Sequence, residues 1–535
     1  MKKIIFILLL IFAQKISAQV TQEWVATYNG TGTGSFYAVK NAIDPFGNLI
    51  IAGRSGSDFI TLKYNNSGNL LWVRTYDGGY NNDDQTRDMV LDDSGNIYVT
   101  GFSYEGTSNG GVNWLTIKYN PYGEMIWKQS LDWTGHRGDD PNFIAVDENH
   151  NVYVTGYGYV GPPPLLKEDL VIAKYNINGE LQWANSYSNS TPQSSVGYSI
   201  SINDSNNIYV SGYSGDSIII IKYSSSGFIE WLENYYCISI NLVVPLFSKT
   251  DHQSNVIING YYELAGQSNF VTLKYDEKGN LLWDRIFDSP IGTLDIANAI
   301  NMDDSSNIFI AGRTFTKFYN DVFVLKYASN GDTLWSRTYD HGFSQNDEAK
   351  SIACDALGNV YVTGNTQSPI TSNDFLTIKY DKNGNLIWKK TYSTTTNPPG
   401  QDFGISINLD RNSNVFVSGS CYLQNGRYGI TSIKYSQITN AQNISNSVMG
   451  YKLNNFPNPF NPITKIEYEM PEDAFLSINI VDSNGKLILA VLNEYKKSGK
   501  YSIDFVAKNL ASGVYYCVME ANKLFIKSKK LILLK

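Results

Sequence analysis

The feature that most constrains this chain is a unit it writes eight times. Aligned on the glycine that ends a Tyr-Val-Thr-Gly-like strand, the copies fall at Gly53, Gly101, Gly156, Gly212, Gly260, Gly312, Gly364 and Gly419. Five residues earlier every copy carries asparagine: Asn48, Asn96, Asn151, Asn207, Asn255, Asn307, Asn359 and Asn414. Nine residues earlier seven copies carry aspartate and the fourth carries Asn203. An aspartate that caps a turn and an asparagine that tolerates the left-handed conformation, set between apolar runs, predict a tight hairpin. A further strand ends in Lys-Tyr in every copy. In the first seven a glycine follows that tyrosine by four residues and a tryptophan comes four later: Trp72, Trp127, Trp183, Trp231, Trp283, Trp335 and Trp388. Each unit of about 50 residues thus reads as four strands, the period of a β-propeller blade. The eighth unit stops at Tyr435 without its tryptophan strand, while an orphan copy, EWVATY with Trp24, stands ahead of the first unit. The expectation is an all-β protein over residues 20–436: an eight-bladed propeller, with seven as the alternative count, closed by the N-terminal strand so that no free edge remains.

The pattern D-x-x-G-N-x-Y-V-T-G followed by D-F-x-T-x-K-Y-x-x-x-G-x-x-x-W resembles the bacterial SBBP-type β-propeller repeat. The resemblance implies the fold and leaves the molecular role open. Asn113 and Asn269 replace the aspartate found at Asp58, Asp169, Asp321 and Asp374 in other units. The repeated tryptophans and Lys-Tyr pairs read as blade-to-blade packing, each lysine reaching a repeat carboxylate such as Asp374.

Residues 1–18 combine Lys2 and Lys3, an apolar run from Ile4 to Ala13 and small residues before Gln19, the pattern of a secretory signal peptide. No later stretch is long and apolar enough for a transmembrane segment. Removing that leader takes three of the 42 basic residues and none of the 50 acidic ones, moving the net charge from −8 to −11. Such an acidic surface excludes nucleic acid as a partner class. The charge changes sign after a polar linker at 437–450, because residues 451–535 hold twelve lysines and eight acids. Alternating runs in this tail (KIEYEM, LSINIVD, YSIDF, GVYYCVM) predict a small β-sandwich. Its N-x-P-N-P-F-N-P, D-x-x-G-K and L-x-S-G-V-Y segments closely resemble the C-terminal sorting domain of the type IX secretion system. That resemblance implies the secretion machinery as a partner and a cell-surface or extracellular location. Lys527, Lys529, Lys530 and Lys535 are the candidate docking charges.

In a four-stranded blade the 1–2 and 3–4 turns share one face, and the 2–3 and 4–1 connections share the other. Here the first set is short and nearly constant, the second long and different in every copy, so the second face is the expected working face. Its loops mix aromatics with carboxylates, a combination that stacks on sugars and bonds their hydroxyls. The candidate ligand contacts are Trp133, Tyr104, Tyr159, Tyr262, Phe318 and Tyr319, with the carboxylates Asp83, Asp84, Asp139, Asp140, Asp347 and Glu348. The functional reading is a binding or adhesion module for a polysaccharide or surface protein; the alternatives are a carbohydrate-active enzyme, a glycosidase or lyase, using paired carboxylates at the channel mouth, and a structural surface protein. No calcium-loop, zinc or nucleophile-elbow motif is present, so no cofactor is expected; calcium in the repeated D-x-x-G-N turn is the alternative. Cys237, Cys354, Cys421 and Cys517 lie too far apart around the expected ring to pair.

Overall fold

The computed structural model describes residues 20–437 and 452–534 except 31–33, 80–82, 105–110, 134–137, 162–165, 191–192, 237–241, 265–266, 290–294, 317, 343–344, 369–371, 395–399, 471–472, 483–486, 509 and 522–523. The expected signal peptide, most of the expected linker, Cys237, Lys535 and the Lys527 side chain lie outside the described residues. The chain divides into two compact units, at Ser436 and Gln437. No helix among the described residues is long and apolar enough to cross a membrane.

Among the described residues the fold is made of thirty-nine strands, β1 to β39 in chain order. In the first unit they form eight four-stranded antiparallel sheets. The first sheet shows the plan: β2 (Phe36–Ile43), β3 (Leu49–Ser55), β4 (Asp58–Tyr64) and β5 (Leu70–Tyr76) pair in chain order. The eighth sheet departs from it. Its order is β1 (Val20–Tyr28), β32 (Tyr428–Gln437), β31 (Val415–Tyr422) and β30 (Phe403–Leu409), so the orphan EWVATY strand supplies the missing position.

Middle strands read as unbroken apolar runs because both of their faces are covered. Ile219 and Ile221 pack with Tyr153, Leu170 and Ile172 of the third sheet, while Ile218 and Ile220 pack with Val256, Ile258 and Leu273 of the fifth. Full burial of each such side chain contributes about 1.5–3 kcal/mol. The same alternation joins the first sheet to the eighth, where Leu49 and Ile51 meet Phe416 and Ile430. At this contact the Asn41 amide also bonds the Ser406 and Phe416 carbonyls and the Ser418 hydroxyl.

The hairpin turns correct one detail of the sequence reading. In every first turn the residue before the repeat asparagine takes the left-handed conformation: Gly47, Gly95, His150, Asn206, Ser254, Ser306, Gly358 and Ser413. The asparagine donates its side-chain amide back to the capping aspartate, as Asn48 does to Asp44 at 2.8 Å and Asn359 to Asp355 at 2.8 Å. Asn207 faces Asn203 instead and donates to Glu277.

The lysines also differ from expectation. Lys63 pairs with Asp44 at 2.8 Å, Lys274 with Asp251 at 2.8 Å and Lys326 with Asp303 at 3.5 Å, each a turn aspartate and not one at the position of Asp374, while Lys222 pairs with Glu230 at 3.0 Å and Lys434 with Glu23 at 2.7 Å. The reason is position along the strand: Asp374 opens its strand near the long loops, whereas Lys379 lies at the tight-turn end.

The tryptophans link neighbouring sheets. The indole N–H of Trp127 donates to the Ile177 carbonyl at 3.0 Å, and that of Trp335 to Lys382 at 3.0 Å. Each ring lies over the glycine of the next sheet's second turn; a Cβ on Gly179 would fall 2.7 Å from Trp127. Trp24, Trp72, Trp183, Trp231 and Trp283 repeat the bond. Trp388 has a buried indole nitrogen without a partner, because the sheet it faces takes its fourth strand from β1 and has no second turn to offer.

The second unit holds a three-stranded sheet, β33 (Lys452–Phe456), β34 (Ile463–Met470) and β37 (Gly499–Val506), and a four-stranded one, β36 (Leu487–Lys496), β35 (Ala474–Val481), β38 (Gly513–Ala521) and β39 (Leu524–Leu533). One core of Leu453, Ile466, Leu476, Ile478, Phe505, Met519 and Leu531 fills it. Lys529 and Lys530 are exposed on β39. Cys354, Cys421 and Cys517 are free thiols.

Candidate functional site

Each innermost strand carries a β-bulge at the same point: between Ala38 and Lys40, Thr86 and Asp88, Pro141 and Phe143, Gly197 and Ser199, Pro245 and Phe247, Ala297 and Ala299, Ala349 and Ser351, and Gly404 and Ser406. The bulge presses a first-strand carbonyl against the repeat glycine. A Cβ on Gly312 would lie 1.9 Å from the Ile296 oxygen and one on Gly419 1.8 Å from the Phe403 oxygen, so no other residue fits there. A bulge re-aims its extra residue. In five sheets that residue is Arg87, Asn142, Tyr198, Asn298 or Lys350.

The innermost strands line a cavity of about 840 Å³ walled mainly by aliphatic residues such as Ile43, Met89, Ile200, Ile300 and Ile352. Lys40, Lys249 and Lys350 are in its lining, and Lys40 is bonded to Asp88 at 2.7 Å. On the long-loop side, an arc of polar and aromatic residues runs across the second to seventh sheets. Arg87 forks onto Asp140 of the next sheet at 2.9 and 2.6 Å. Tyr157 lies opposite Asp140 in register and edge-on to Tyr159 at 5.7 Å. Tyr159 and Tyr213 each donate to Glu168 at 3.3 Å, one to each oxygen. The Tyr213 ring packs on Tyr198 at 6.0 Å, and Tyr261 and Arg313 continue the arc. Arg313 reaches Glu348 at 3.4 Å, which also accepts from Lys350 and Asn298 at 2.8 Å. Burial raises the pKa of Tyr157, Tyr198, Tyr213 and Tyr261, with neighbouring carboxylates adding to it at Tyr157, Tyr198 and Tyr213. All four hydroxyls therefore stay protonated and can donate.

Of the residues singled out from sequence, Tyr159, Asp140 and Glu348 join this arc. Trp133 instead packs partly into the core between the second and third sheets. Tyr104, Tyr262 and Tyr319 are half-buried, and Tyr262 packs against the core beneath the fifth sheet. Phe318 is exposed, and exposed Asp83 accepts from Gln85 at 2.6 Å. Asp84, Asp139 and Asp347 are buried loop ties. Asp84 accepts from the backbone of Gly78 and Tyr104 at 2.5 and 2.9 Å, Asp139 from Trp133 at 2.7 Å, and Asp347 from His341 at 2.7 Å. Asp295 and Asp402 act in the same way on Ser289 and Thr394. Burial pushes Asp139 up to about 6 against the pull of the Trp133 amide. Three groups place acidic or histidine ligand atoms within 4.8 Å of one another: Asp92, Asp93 and His150; Asp58, Asp77 and Asp84; Asp321, Asp340 and Asp347.

Sequence reasoning missed Tyr157, Tyr213, Tyr261 and Arg313. They share one signal, each standing immediately after the repeat glycine at a position that differs from unit to unit.

A family profile described as a secretion system C-terminal sorting domain matches residues 454–534. A Beta-propeller repeat profile matches 74–105 and 338–371. Among curated proteins, an uncharacterized WD repeat-containing protein of Acanthamoeba polyphaga mimivirus is 24% identical over 456 residues, 68% of this chain and 31% of that one. Solved structures similar to it include PorZ, a surface component of the type-IX secretion system of Porphyromonas gingivalis, at TM-score 0.39 and 13% identity over 91% of this chain and 64% of PorZ. Another is virginiamycin B lyase of Staphylococcus aureus, at TM-score 0.40 and 10% identity over 78% and 99%. The chain thus spans less than a third of its viral relative and just under two thirds of PorZ. It is an all-β, propeller-like protein that carries SBBP-type Beta-propeller repeats and ends in a type IX secretion C-terminal sorting domain, which indicates export to the cell surface or beyond.

Proposed function

We propose that the first unit is an eight-bladed ring closed by its N-terminal strand, and that it acts outside the cell as a binding module for polysaccharide. The observation that carries this reading is the arc of half-buried tyrosines, protonated and clamped by Glu168, between two arginine–carboxylate pairs. Rings held at fixed angles offer faces for sugar C–H groups, while phenols, carboxylates and guanidinium groups bond sugar hydroxyls. Asp140 and Glu348 are already paired with cations, so they favour recognition over acid–base cleavage. The sorting domain, with Lys529 and Lys530 exposed, would engage the secretion machinery.

The test is retention of the purified protein on a polysaccharide panel, with chain-length analysis of each ligand afterwards. Saturable binding that weakens at least tenfold in Tyr198→Ala combined with Tyr213→Ala, with ligand length unchanged, supports the proposal. Absence of retention across the panel removes carbohydrate as the ligand class, and shortened chains replace recognition with cleavage.

A further inference from the structure

The acidic groups at the sheet junctions recur with a fixed spacing that the turn chemistry does not require. Asp58, Asp77 and Asp84 stand 19 and 7 residues apart, and so do Asp321, Asp340 and Asp347. In both groups the first comes from the third strand of one sheet, the second from the loop leaving that sheet, and the third from the start of the next sheet. Ligand oxygens of each trio lie within 4.8 Å of one another. The spacing appears twice more as Asn113, Asp132, Asp139 and as Asn269, Asp288, Asp295, with an amide oxygen in the first place. In three of the four groups a backbone bond fixes the arrangement, from the last aspartate's N–H to the carbonyl just before the first residue: Asp84 to Ser57, Asp139 to Val112 and Asp295 to Ser268, at 2.5, 2.9 and 2.8 Å.

Crowded carboxylates alone would mean little. At the Asp84 junction and in the Asn113 group a buried oxygen without a partner accompanies them. The Ser103 hydroxyl is fully buried and unbonded, and it faces the same small space as Asp84: a Cβ on Gly78 would sit 2.4 Å from Ser103 Oγ and 3.1 Å from both Asp84 oxygens. The equivalent hydroxyls of Thr314 and Thr366 are spent on Asp295 and Asp347. The Asn113 amide oxygen, 7% exposed, is unbonded in the third group. A buried polar oxygen left without a partner is unfavourable unless something outside the chain satisfies it.

We infer that the Asp58, Asp77 and Asp84 junction is a calcium site, in which one ion staples adjacent sheets, with the Asp321, Asn113 and Asn269 junctions as weaker versions. All donors are oxygens, which selects a hard cation over zinc or copper. Asp77 and Asp340 each tie a single backbone amide, of Gly79 and Gly342, leaving one oxygen for the ion. Few protein ligands and one exposed member per site place the affinity in the range of extracellular modules, a dissociation constant of about 10⁻⁴–10⁻³ M. These sites differ from the D-x-x-G-N turns on the opposite face, where the aspartates bond their own asparagines.

The experiment uses the purified protein stripped with chelator. Calcium is titrated from zero to about 10 mM while melting temperature and terbium luminescence are followed. Calcium should raise the melting temperature by several degrees with saturation, and magnesium should do less. Asp77→Asn combined with Asp340→Asn should remove most of that rise, yet leave the melting temperature in chelator equal or higher, because one negative charge leaves each crowded trio. A purely structural role gives no such reversal. Absence of saturable binding up to 10 mM, or an undiminished rise in the double variant, overturns the inference.

Discussion

At the scale of single residues, the turn aspartates carry more than their turns. Asp251 caps the first hairpin of the fifth sheet through the backbone of Gln253 and Asn255 and also faces Lys274 at 2.8 Å, both side chains nearly inaccessible. Burial opposes its charge, but the Lys274 ammonium and the Asn255 amide outweigh it and hold the carboxyl below its ordinary value. A depressed carboxyl contributes stability above the unfolded pKa near 3.9 and loses it as pH falls through the folded value. Asp251→Asn should therefore lower stability by about 3 kcal/mol at pH 7, since Lys274 is left buried and unpaired. The deficit should shrink as pH falls below the unfolded carboxyl value and through the lower folded one; a constant deficit across a pH series of urea unfolding would contradict this. The capping role was legible in the sequence because it is local. The lysine partner was not, since which end of a strand meets which carboxylate is fixed only by pairing across the sheet.

At the scale of elements, the bulge explains both what sequence reading found and what it missed. Hairpins are local, and their glycines, asparagines and aspartates announce them. A bulge depends on two strands at once, so it leaves only the glycine it crowds and a variable residue after it. Tyr157, Tyr213, Tyr261 and Arg313 were hidden for that reason, while Trp133 and Tyr104 drew notice for lying in long loops. Gly312→Ala should cost about 2 kcal/mol or more, because its methyl cannot coexist with the Ile296 carbonyl unless the bulge is undone. Urea unfolding measures the loss. A variant as stable as the parent would show that the carbonyl can move aside.

For the molecule as a whole, the decisive pairing joins β1 to β32. Deleting residues 20–30 should leave β32 with an open edge, strip Lys434 of Glu23 and Thr431 of Thr27, and produce concentration-dependent association visible by sedimentation. A synthetic peptide of those residues should restore the monomer. The repeated four-stranded sheet and the orphan strand were readable because repetition makes any departure from it conspicuous. The arc was not, because it is assembled from one unmarked position in each of several repeats. Lengthening the loop between paired segments adds only about 0.6 kcal/mol per doubling, so a partner some 400 residues away is affordable in equilibrium terms. In time it is another matter. The first strand of the propeller has no place to rest until the last one exists, so a chain cut short anywhere before β32 keeps an unsatisfied edge. Such a chain should be cut by protease faster than the intact first unit, because its open edge leaves strands free to fray.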